Sequence, residues 1–499
     1  MKLIETDLTP EQYSQAEHDD RIRILRRSLD SRRGVKYHVS MEVYDVGEKI
    51  EEEDFRSPYR DCKNGKKVVI VGAGPAGLFA ALRALELGWR PIIVERGKPV
   101  SERKYDIAKL TKEHTVNGDS NWCFGEGGAG TYSDGKLYTR STKRGDIGTV
   151  LRKFIEHGAD QKILIDAHAH IGTDRLSPII ANMRQTIENF GGEYHFGSRV
   201  VDLSIVDGKV SGVVDQNDNR YEADAVVLAT GHSARDIYEL FARKGWLLEA
   251  KPFAMGVRVE HPQSLINSIQ YHGKNYSPLL PPAAYSLTTQ AEGHGVFSFC
   301  MCPGGIIVPA TTASGLQVVN GMSNSHRNSP YANSGIAVTV GLADVSRYSA
   351  DGVFALLRFQ EEVERRMFAV SGEVGCAPMQ TLTDFCEGKC TARLNKTNYM
   401  GTVASAPLHQ LLPEFVVKAL QIGFKAFDRK MHGFYTREAS LLAVESRTSS
   451  PIRIPRGTDL QHPQLKGLYP CGEGAGYAGG IVSSAMDGMN AMDRIAANA

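Results

Sequence analysis

Apolar positions along the chain recur with strand or helical spacing, and one stretch combines both patterns. Residues 67–71 form a short apolar run, which is typical of a buried parallel strand. Leucines and alanines then recur at helical spacing as far as Gly88, and residues 91–94 form a second apolar run. This pattern predicts a strand, a helix and a second strand in direct succession.

Three glycines stand between the first strand and the helix at the spacing G-x-G-x-x-G. Gly72 makes the tight turn, Gly74 leaves room for the backbone to approach a pyrophosphate, and Gly77 lets helix and strand pack closely. The helix start directs free N–H groups and the positive end of its dipole at the phosphates. Glu95, at the end of the second strand, can accept hydrogen bonds from a ribose 2′-hydroxyl. In this order the elements predict a dinucleotide site, rather than a glycine-rich turn without a ligand.

Glycine-rich segments recur at three later places in the chain. Five glycines fall between Gly125 and Gly135, and such a loop costs conformational entropy, so it is seldom kept for the fold alone. An apolar run over residues 225–228 ends at Gly231, and residues 467–488 predict a strand, a turn and a helix. In these segments the backbone could approach a flat or phosphorylated ligand closely. For residues 125–135, the alternative interpretation is an irregular surface loop without a ligand.

The first fifty residues predict a small separate α+β unit. Thr9 begins a capping-box sequence, and apolar spacing extends the predicted helix to about Leu29, with a strand before and after it. Seven basic residues fall between Arg21 and Lys36. They would lie on a solvated helix face or form a docking surface for an acidic partner or RNA.

The remaining segments predict further strands and helices. Residues 250–345 contain short apolar or alternating runs separated by Gly, Pro and Asn, which favours a mostly β region. Residues 351–370 and 413–431 predict amphipathic helices, and residues 162–166 a strand. His168 and His170 have no third ligand nearby in the sequence, so we expect no metal site.

Composition describes an ordinary soluble globular protein, with 42% hydrophobic and 23% charged residues. The 58 basic and 57 acidic residues nearly cancel, which gives no general attraction for nucleic acid or an anionic membrane. No signal peptide is recognisable, and no run reaches the ~18 apolar residues of a membrane span. Eight cysteines without a disulfide-framework spacing fit a reducing compartment, so we expect a cytoplasmic protein.

The C-terminal Gly-Glu turn, followed by a glycine pair that opens a helix, resembles the large flavoprotein class that binds FAD from the first strand to the last helix. The strings FGEGGAGTYSDGKLYTR, ATGHSARD, VESRTSSPIRIPR and GLYPCGEGAGYAGGI are similar to a bacterial family of FAD-dependent dehydrogenases described as uncharacterised, with a glutathione-reductase-like FAD-binding fold. The resemblance covers about residues 60–499. It implies FAD as the cofactor and leaves the substrate open.

The resemblance also implies roles for single residues. Glu473 would hold the ribityl chain, where the class commonly has Asp, and the following helix would begin at the flavin edge. The cofactor-binding candidates from motif and resemblance together are Gly72, Gly74, Pro75, Ala76, Gly77, Glu95, Arg96, Gly127, Gly128, Ala129, Gly130, Val200, Val201, Gly231, Gly472, Glu473, Gly480 and Ile481.

The sequence motifs and the family resemblance together predict the fold class. We expect an α/β protein with an FAD/NAD(P)-binding Rossmann-like domain, an inserted and mostly β substrate domain, and a small α+β N-terminal domain. The predicted boundaries are 1–50 for the N-terminal domain, 51–65 for a linker, 66–250 and 440–499 for the FAD-binding domain, and 251–439 for the substrate domain.

Candidates for the chemistry are polar groups on the glycine-rich segments. Lys136 and Arg447 could bind an anionic substrate or stabilise reduced flavin, and Glu445 could pair with either of them. His232 could act as an acid or base because its ordinary pKa lies near neutrality, or it could cap a helix or face the cofactor. Cys300-Met301-Cys302 suggests redox chemistry, but a disulfide between cysteines two apart would be strained.

The sequence therefore predicts an FAD-dependent oxidoreductase, a dehydrogenase or reductase that transfers hydride between flavin and an unidentified organic substrate. Only one dinucleotide fingerprint is complete, so NAD(P)H would bind the flavin face transiently, or the electrons come from elsewhere. A flavin oxidase or monooxygenase is one alternative. An RNA-binding or partner-binding flavoprotein that docks through the basic N-terminal helix is another, which the near-zero net charge opposes.

Overall fold

The N-terminal unit is a small antiparallel sheet with one helix. The computed structural model describes residues 1–51, 53–138 and 145–498. The elements of this unit are β1 (Lys2–Leu8), α1 (Pro10–Glu17), β2 (Ile22–Asp30) and β3 (Lys36–Val43). The strands lie in the order β1, β3, β2. The predicted capping box is present, because Thr9 Oγ1 accepts from the N–H of Gln12 at 3.3 Å and Gln12 Oε1 accepts from the N–H of Thr9 at 2.9 Å.

The prediction that this helix continues to Leu29 is wrong. The helix ends at Glu17, and Ile22–Asp30 forms a strand along one edge of β3. Ile22 and Ile24 flank an arginine, which is a period of two, and the β-branched side chains fit a strand paired with an available partner. The basic residues therefore lie on the edge strand β2, next to its two ends and at the first residue of β3, and the segment is not the predicted basic docking helix.

The N-terminal unit contacts two separate parts of the chain. Arg27 pairs with Asp166, with 3.1 Å between Nη2 and Oδ2. On the other side, His272 Nε2 contacts the carbonyl of Ser31, and Ser277 Oγ donates to Glu11 at 2.7 Å. The unit is thus attached to two separate parts of the chain, through β2, the residue that follows it, and α1.

A parallel sheet forms the centre of the next part of the chain. The elements of this part are β4 (Lys67–Val71), α2 (Pro75–Leu87), β5 (Arg90–Val94), α3 (Val100–Lys112), a 3₁₀ helix (Gly128–Tyr132), α4 (Ile147–Glu156), α5 (Lys162–Ile165), α6 (Thr173–Asn189), β6 (Glu193–His195), β7 (Val200–Val206), β8 (Lys209–Asp215), β9 (Arg220–Glu222), β10 (Ala225–Leu228) and α7 (Arg235–Arg243). Strands β7, β8 and β9 form a separate antiparallel sheet. The strand predicted over residues 162–166 is wrong. Asp160 accepts the N–H of Lys162 at 2.8 Å, which stabilises a helical turn there.

The following part is dominated by a mixed sheet. Its elements are β11 (Glu249–Ala250), β12 (Phe253–Pro262), α8 (Gln263–Gln270), β13 (Thr288–Ala291), β14 (His294–Cys302), β15 (Ile306–Pro309), β16 (Val319–Met322), β17 (Tyr331–Val340), a 3₁₀ helix (Leu342–Phe354), α9 (Ala355–Phe368), β18 (Cys376–Thr381), α10 (Leu382–Glu387), β19 (Thr402–Ser405), α11 (Leu408–Leu411), α12 (Glu414–Lys430) and β20 (Ser440–Glu445). The large sheet has the order β13, β14, β17, β12, β20, β18, β19. The helix predicted from residue 351 begins later, at Ala355, because Gly352 has a non-helical φ of 57°. None of the described helices has the length and apolar character that crossing a membrane requires.

The end of the chain returns to the parallel sheet. The last elements are β21 (Ile452–Arg453), β22 (Leu468–Pro470) and α13 (Ile481–Ala497). β22 pairs with β10, and the sheet has the order β22, β10, β4, β5, β6. Helix α13 packs on α2, where a β-carbon at Gly488 would lie 2.0 Å from the carbonyl oxygen of Ala76. The predicted fold class is confirmed. The parallel sheet takes strands from the segments before and after the sheet-rich part, so the sheet-rich part is inserted between them.

One buried arginine fixes the glycine-rich loop that follows α3. Arg103 is wholly buried, and its guanidinium donates to four backbone carbonyl oxygens of this loop. These acceptors are Asn121, Trp122, Glu126 and Gly128, at 2.8, 3.0, 2.8 and 2.8 Å. A β-carbon at Gly125 would lie 2.5 Å from Arg103 Cδ, so the loop fits closely around the side chain.

We expect Arg103→Met to destabilise the protein by about 3 kcal/mol or more, because buried carbonyl oxygens would lose their donors. Arg103→Lys, which keeps the charge but only part of the donor set, should lie between wild type and Arg103→Met. The measurement is the midpoint of thermal unfolding. Lys104→Met, at the exposed neighbouring position, is the control, and equal midpoints for Arg103→Met and Lys104→Met would contradict the role of Arg103.

Candidate functional site

A large cavity opens at the carboxyl ends of strands β4, β5 and β10. It contains about 1540 Å³ of space free of protein atoms, counting its open mouth. Val71, Val94 and Ala229, at or just beyond the ends of these strands, lie in its wall. In open parallel α/β sheets this edge is where ligands bind.

Glycine turns that are far apart in the chain meet at this cavity. A β-carbon at Gly128 would lie 3.1 Å from the Cα of Gly74. A β-carbon at Gly474 would lie 2.3 Å from the carbonyl oxygen of Gly231. The absence of side chains therefore lets four backbone segments approach one another around a common space.

Most of the residues predicted to bind the cofactor line this cavity. They are Gly72, Gly74, Pro75, Ala76, Glu95, Arg96, Gly128, Ala129, Gly130, Val200, Gly231, Gly472, Glu473, Gly480 and Ile481. Three candidates do not line it. A β-carbon at Gly77 would lie 1.9 Å from the Gly72 carbonyl oxygen, and one at Gly127 would lie 2.0 Å from Thr131 Oγ1, so these glycines serve close packing. Val201 is 37% exposed and lies outside the cavity, because successive side chains of a strand point to opposite faces.

The Glu95 carboxylate joins two of the turns. It is buried, and Oε2 accepts the N–H of Ala73 at 2.8 Å, while Oε1 accepts those of Gly97 at 2.8 Å and Gly125 at 3.0 Å. The sequence predicted a ribose contact for this residue and did not predict these backbone contacts. Since each carboxylate oxygen has two lone pairs, Oε2 retains one for a donor in the cavity.

Glu473 presents a carboxyl group to the cavity with no hydrogen bond to any described residue. Burial raises the pKa of this carboxyl to about 7, although the charge of Lys251 acts in the opposite direction. The side chain is half-buried and lines the cavity, so a ligand there could donate hydrogen bonds to the carboxyl oxygens. The ribityl hydroxyls that the resemblance assigns to this position are donors of the required kind, so the residue fits the cofactor.

Arg447 lies in the cavity wall, but its charge is paired. Its Nε and Nη2 donate to the two oxygens of Glu364, both at 3.1 Å, and Arg235 donates to the same carboxylate at 2.9 Å. Although burial opposes ionisation, the two guanidinium groups lower the pKa of Glu364 to about 2. The predicted pairing of Glu445 with Arg447 or Lys136 is wrong, because Glu445 Oε2 pairs with Arg258 Nε at 2.7 Å.

His232 lies beside this charged cluster and also lines the cavity. Its Nδ1 is 3.1 Å from the hydroxyl of Ser233. Burial and the charges of Arg447 and Arg235 lower the pKa of His232 to about 4. The imidazole is therefore neutral near pH 7, where it can accept a proton or a hydrogen bond but carries no charge.

Cys300 and Cys302 line the cavity on β14 and remain free thiols. Although Cys300 is exposed toward the cavity, desolvation by the surrounding protein raises the pKa of its thiol to about 12, and burial raises that of Cys302. A thiol must ionise to act as a nucleophile, so neither is activated. Among the described residues, no group of three or more His, Cys, Asp or Glu side chains is placed to hold a metal ion.

Sequence reasoning missed a buried network next to residues 299–302 of β14. Arg258 is wholly buried on β12 and donates to Glu445 at 2.7 Å, to Asn333 at 2.7 Å and to Asn320 at 3.2 Å. The signal was a single arginine within the apolar run that begins at Phe253, because charged residues are rarely buried without a partner.

Comparison with known proteins gives two adjoining family matches. Residues 66–240 match the family model described as pyridine nucleotide-disulphide oxidoreductase, and residues 252–448 match the model described as FAD-dependent protein, C-terminal domain-like. A Clostridium beijerinckii protein described as uncharacterized is 38% identical over 517 residues, which covers 99% of this chain and 96% of that protein.

Three solved structures are similar to the chain at low identity. CtdE in complex with FAD covers 86% of this chain and 84% of its own, with 12% identity and a TM-score of 0.33. An oxidoreductase from Methanosarcina mazei covers 86% and 100%, with 12% identity and a TM-score of 0.34. Glycine oxidase from Bacillus cereus covers 87% and 96%, with 12% identity and a TM-score of 0.31.

The family matches and the full-length relative agree with the resemblance found in the sequence. FAD is the cofactor of the family, and its members are oxidoreductases. The chain belongs to this family of FAD-dependent oxidoreductases, together with the Clostridium beijerinckii protein.

Proposed function

We propose that the protein is a dehydrogenase or reductase that transfers hydride between FAD held in the cavity and an organic substrate bound against β14. One observation carries the proposal: the turn at Gly74 and the β14 residue Phe299 line the same cavity. In this proposal residues 66–250 and 440–499 hold the flavin, and residues 251–439 supply the substrate wall. The unit 1–50 and the linker 51–65 lie outside the reaction.

Named groups of the chain would bind the parts of FAD. Gly74 and the N-terminus of α2 would hold the pyrophosphate, because free N–H groups and the helix dipole favour negative charge there. Glu95 Oε2 would accept from a ribose hydroxyl, and Glu473 from the ribityl chain. The N-terminus of α13, at Gly480 and Ile481, would stabilise negative charge on the reduced ring. Bound FAD supplies the two-electron chemistry itself.

The remaining polar groups would act on the substrate. Neutral His232 can accept a proton at a ring nitrogen or orient a hydroxyl, while Lys136 supplies a positive charge. Arg447 is held by Glu364, so we assign it to positioning this part of the cavity rather than to a separate substrate contact.

Flavin reduction under anaerobic conditions tests the proposal. The purified protein should retain FAD, and NADH or NADPH, or a substrate found by screening organic reductants, should bleach the visible flavin absorbance. Reoxidation by air should then be slow. Rapid reoxidation with release of peroxide would instead support a flavin oxidase or monooxygenase, and a protein that binds no FAD would end the proposal.

We expect Gly74→Val to abolish FAD retention while the protein stays folded. A β-carbon at Gly74 has no protein atom nearer than the Cα of Gly128 at 3.8 Å, so the valine methyl groups would extend into the pyrophosphate position. Gly118→Val is the matched control, because its β-carbon also has its nearest neighbour at 3.8 Å, on the exposed side of the protein. Stoichiometric FAD in purified Gly74→Val would contradict the assignment.

The carboxyl of Glu473 should make the FAD-free protein less stable as the pH rises. Burial raises its pKa from 4.5 to about 7, so between these values the folded state holds a proton that the unfolded state has released. Stability from this group is therefore present below about pH 4.5 and is lost as the pH rises through about 7. Glu473→Gln should remove that part of the slope of thermal midpoint against pH. Identical slopes for variant and wild type would show that Glu473 is not desolvated.

A further inference from the structure

The β14 wall, residues 299–302, is an irregular part of its strand. Pairing with β17 shifts register between Phe299 and Cys302, and Cys300 has a φ of 44°. The two carbonyl groups in the middle of the wall accept hydrogen bonds from cations. Arg258 Nη1 donates to Cys300 O at 3.3 Å, and Lys136 Nζ donates to Met301 O. The wall thus connects a buried guanidinium to a lysine in the cavity.

Asn320, on β16, lies on the Arg258 side of this wall and also lines the cavity. Its Oδ1 accepts from the N–H of Gly321 at 2.7 Å and from Arg258 Nη2 at 3.2 Å. Two donors at one end of the amide fix which end is the oxygen. The Nδ2 group consequently faces away from Arg258, and it donates to no described residue.

Among the described residues, most charges around the wall lie in salt bridges. Glu445 neutralises Arg258 at 2.7 Å, and Arg327 neutralises Asp134, with 3.0 Å between Nε and Oδ1. Lys136 pairs with no carboxylate of the described residues; its hydrogen bond to Met301 uses one of three donors. Within the described part of the chain, the cavity lining therefore includes one ammonium without a carboxylate partner and one unused amide donor, which are linked to the neighbouring carbonyl groups of Met301 and, through Arg258, Cys300.

We propose that Lys136 Nζ and Asn320 Nδ2 together bind a carboxylate group of the substrate. A carboxylate offers two acceptor oxygens, and its hydrogen bond to an ammonium is of the strong, charge-assisted kind. Phe299, in the same wall, provides an apolar surface for the adjoining part of the molecule. The inference rests on the proposed function, because it makes the substrate of the flavin reaction a small organic acid.

Isothermal titration calorimetry of the FAD-loaded protein tests the site, with acetate, pyruvate, benzoate and phenylpyruvate as probes. Asn320→Asp keeps an oxygen for Arg258 and Gly321 but replaces the amide donor by an acceptor, so a purely structural asparagine would tolerate it. Lys136→Met removes the charge. We expect at least one probe to bind the wild-type protein. We expect the affinity of each variant for that probe to be lower by about tenfold or more.

Two surface variants control for added or lost charge: Asn217→Asp and Lys112→Met lie at exposed positions away from the cavity and should bind the probe as wild type does. Thermal midpoints identify a variant that fails to fold. Unchanged affinity in folded Asn320→Asp and Lys136→Met, or no binding of any probe to wild type, would overturn the inference. FAD content and flavin bleaching of the same preparations test the proposed function separately. If the flavin is reduced but no carboxylate binds, only the carboxylate site is contradicted and the proposed function stands.

Discussion

The geometry of the cavity depends on how its glycine loops satisfy their backbone. A loop with few side chains has little of its own to hold it in one conformation, and ordering it is costly in entropy. In this protein, one buried glutamate and one buried arginine supply the hydrogen bonds that hold the loops in place. Glu95 accepts hydrogen bonds from the N–H groups of Ala73 in the first turn and Gly125 in the glycine-rich loop, and Arg103 donates to carbonyl oxygens of that same loop. The loop is consequently fixed from both sides, and its open surface faces the cavity.

The charged groups around the site are likewise satisfied by a small number of partners. The arginines near the substrate end are engaged with carboxylates, and the carboxylate of Glu364 serves two of them at once. Buried charges that are paired and hydrogen-bonded are tolerable, whereas unpaired ones are not. The local field at the wall is then set by the few polar groups without a partner among the described residues, and the proposed carboxylate site depends on these groups.

Much of the nucleotide-binding architecture could be predicted, because its determinants are local. The spacing from Gly72 to Glu95 encodes a turn, a helix start and a strand end within one short segment. The helix expected up to Leu29 is wrong because Ile22–Asp30 becomes a strand through pairing with β3, and the short alternation of Ile22 and Ile24 was too weak a signal to outweigh the helical spacing before it. The partners of Arg447 and Glu445 are likewise far away in the chain. Their identity depends on how β12 and α9 pack, so composition and spacing could supply the candidates but not the pairs.

The small N-terminal sheet has a consequence for how the molecule can move. It is bonded to Asp166, beside the parallel sheet, and to the segment from His272 to Ser277, which belongs to the sheet-rich part. It therefore links the part built on the parallel sheet to the sheet-rich part. Separation of these two parts would have to break one of these attachments, so the small N-terminal sheet restrains their relative movement.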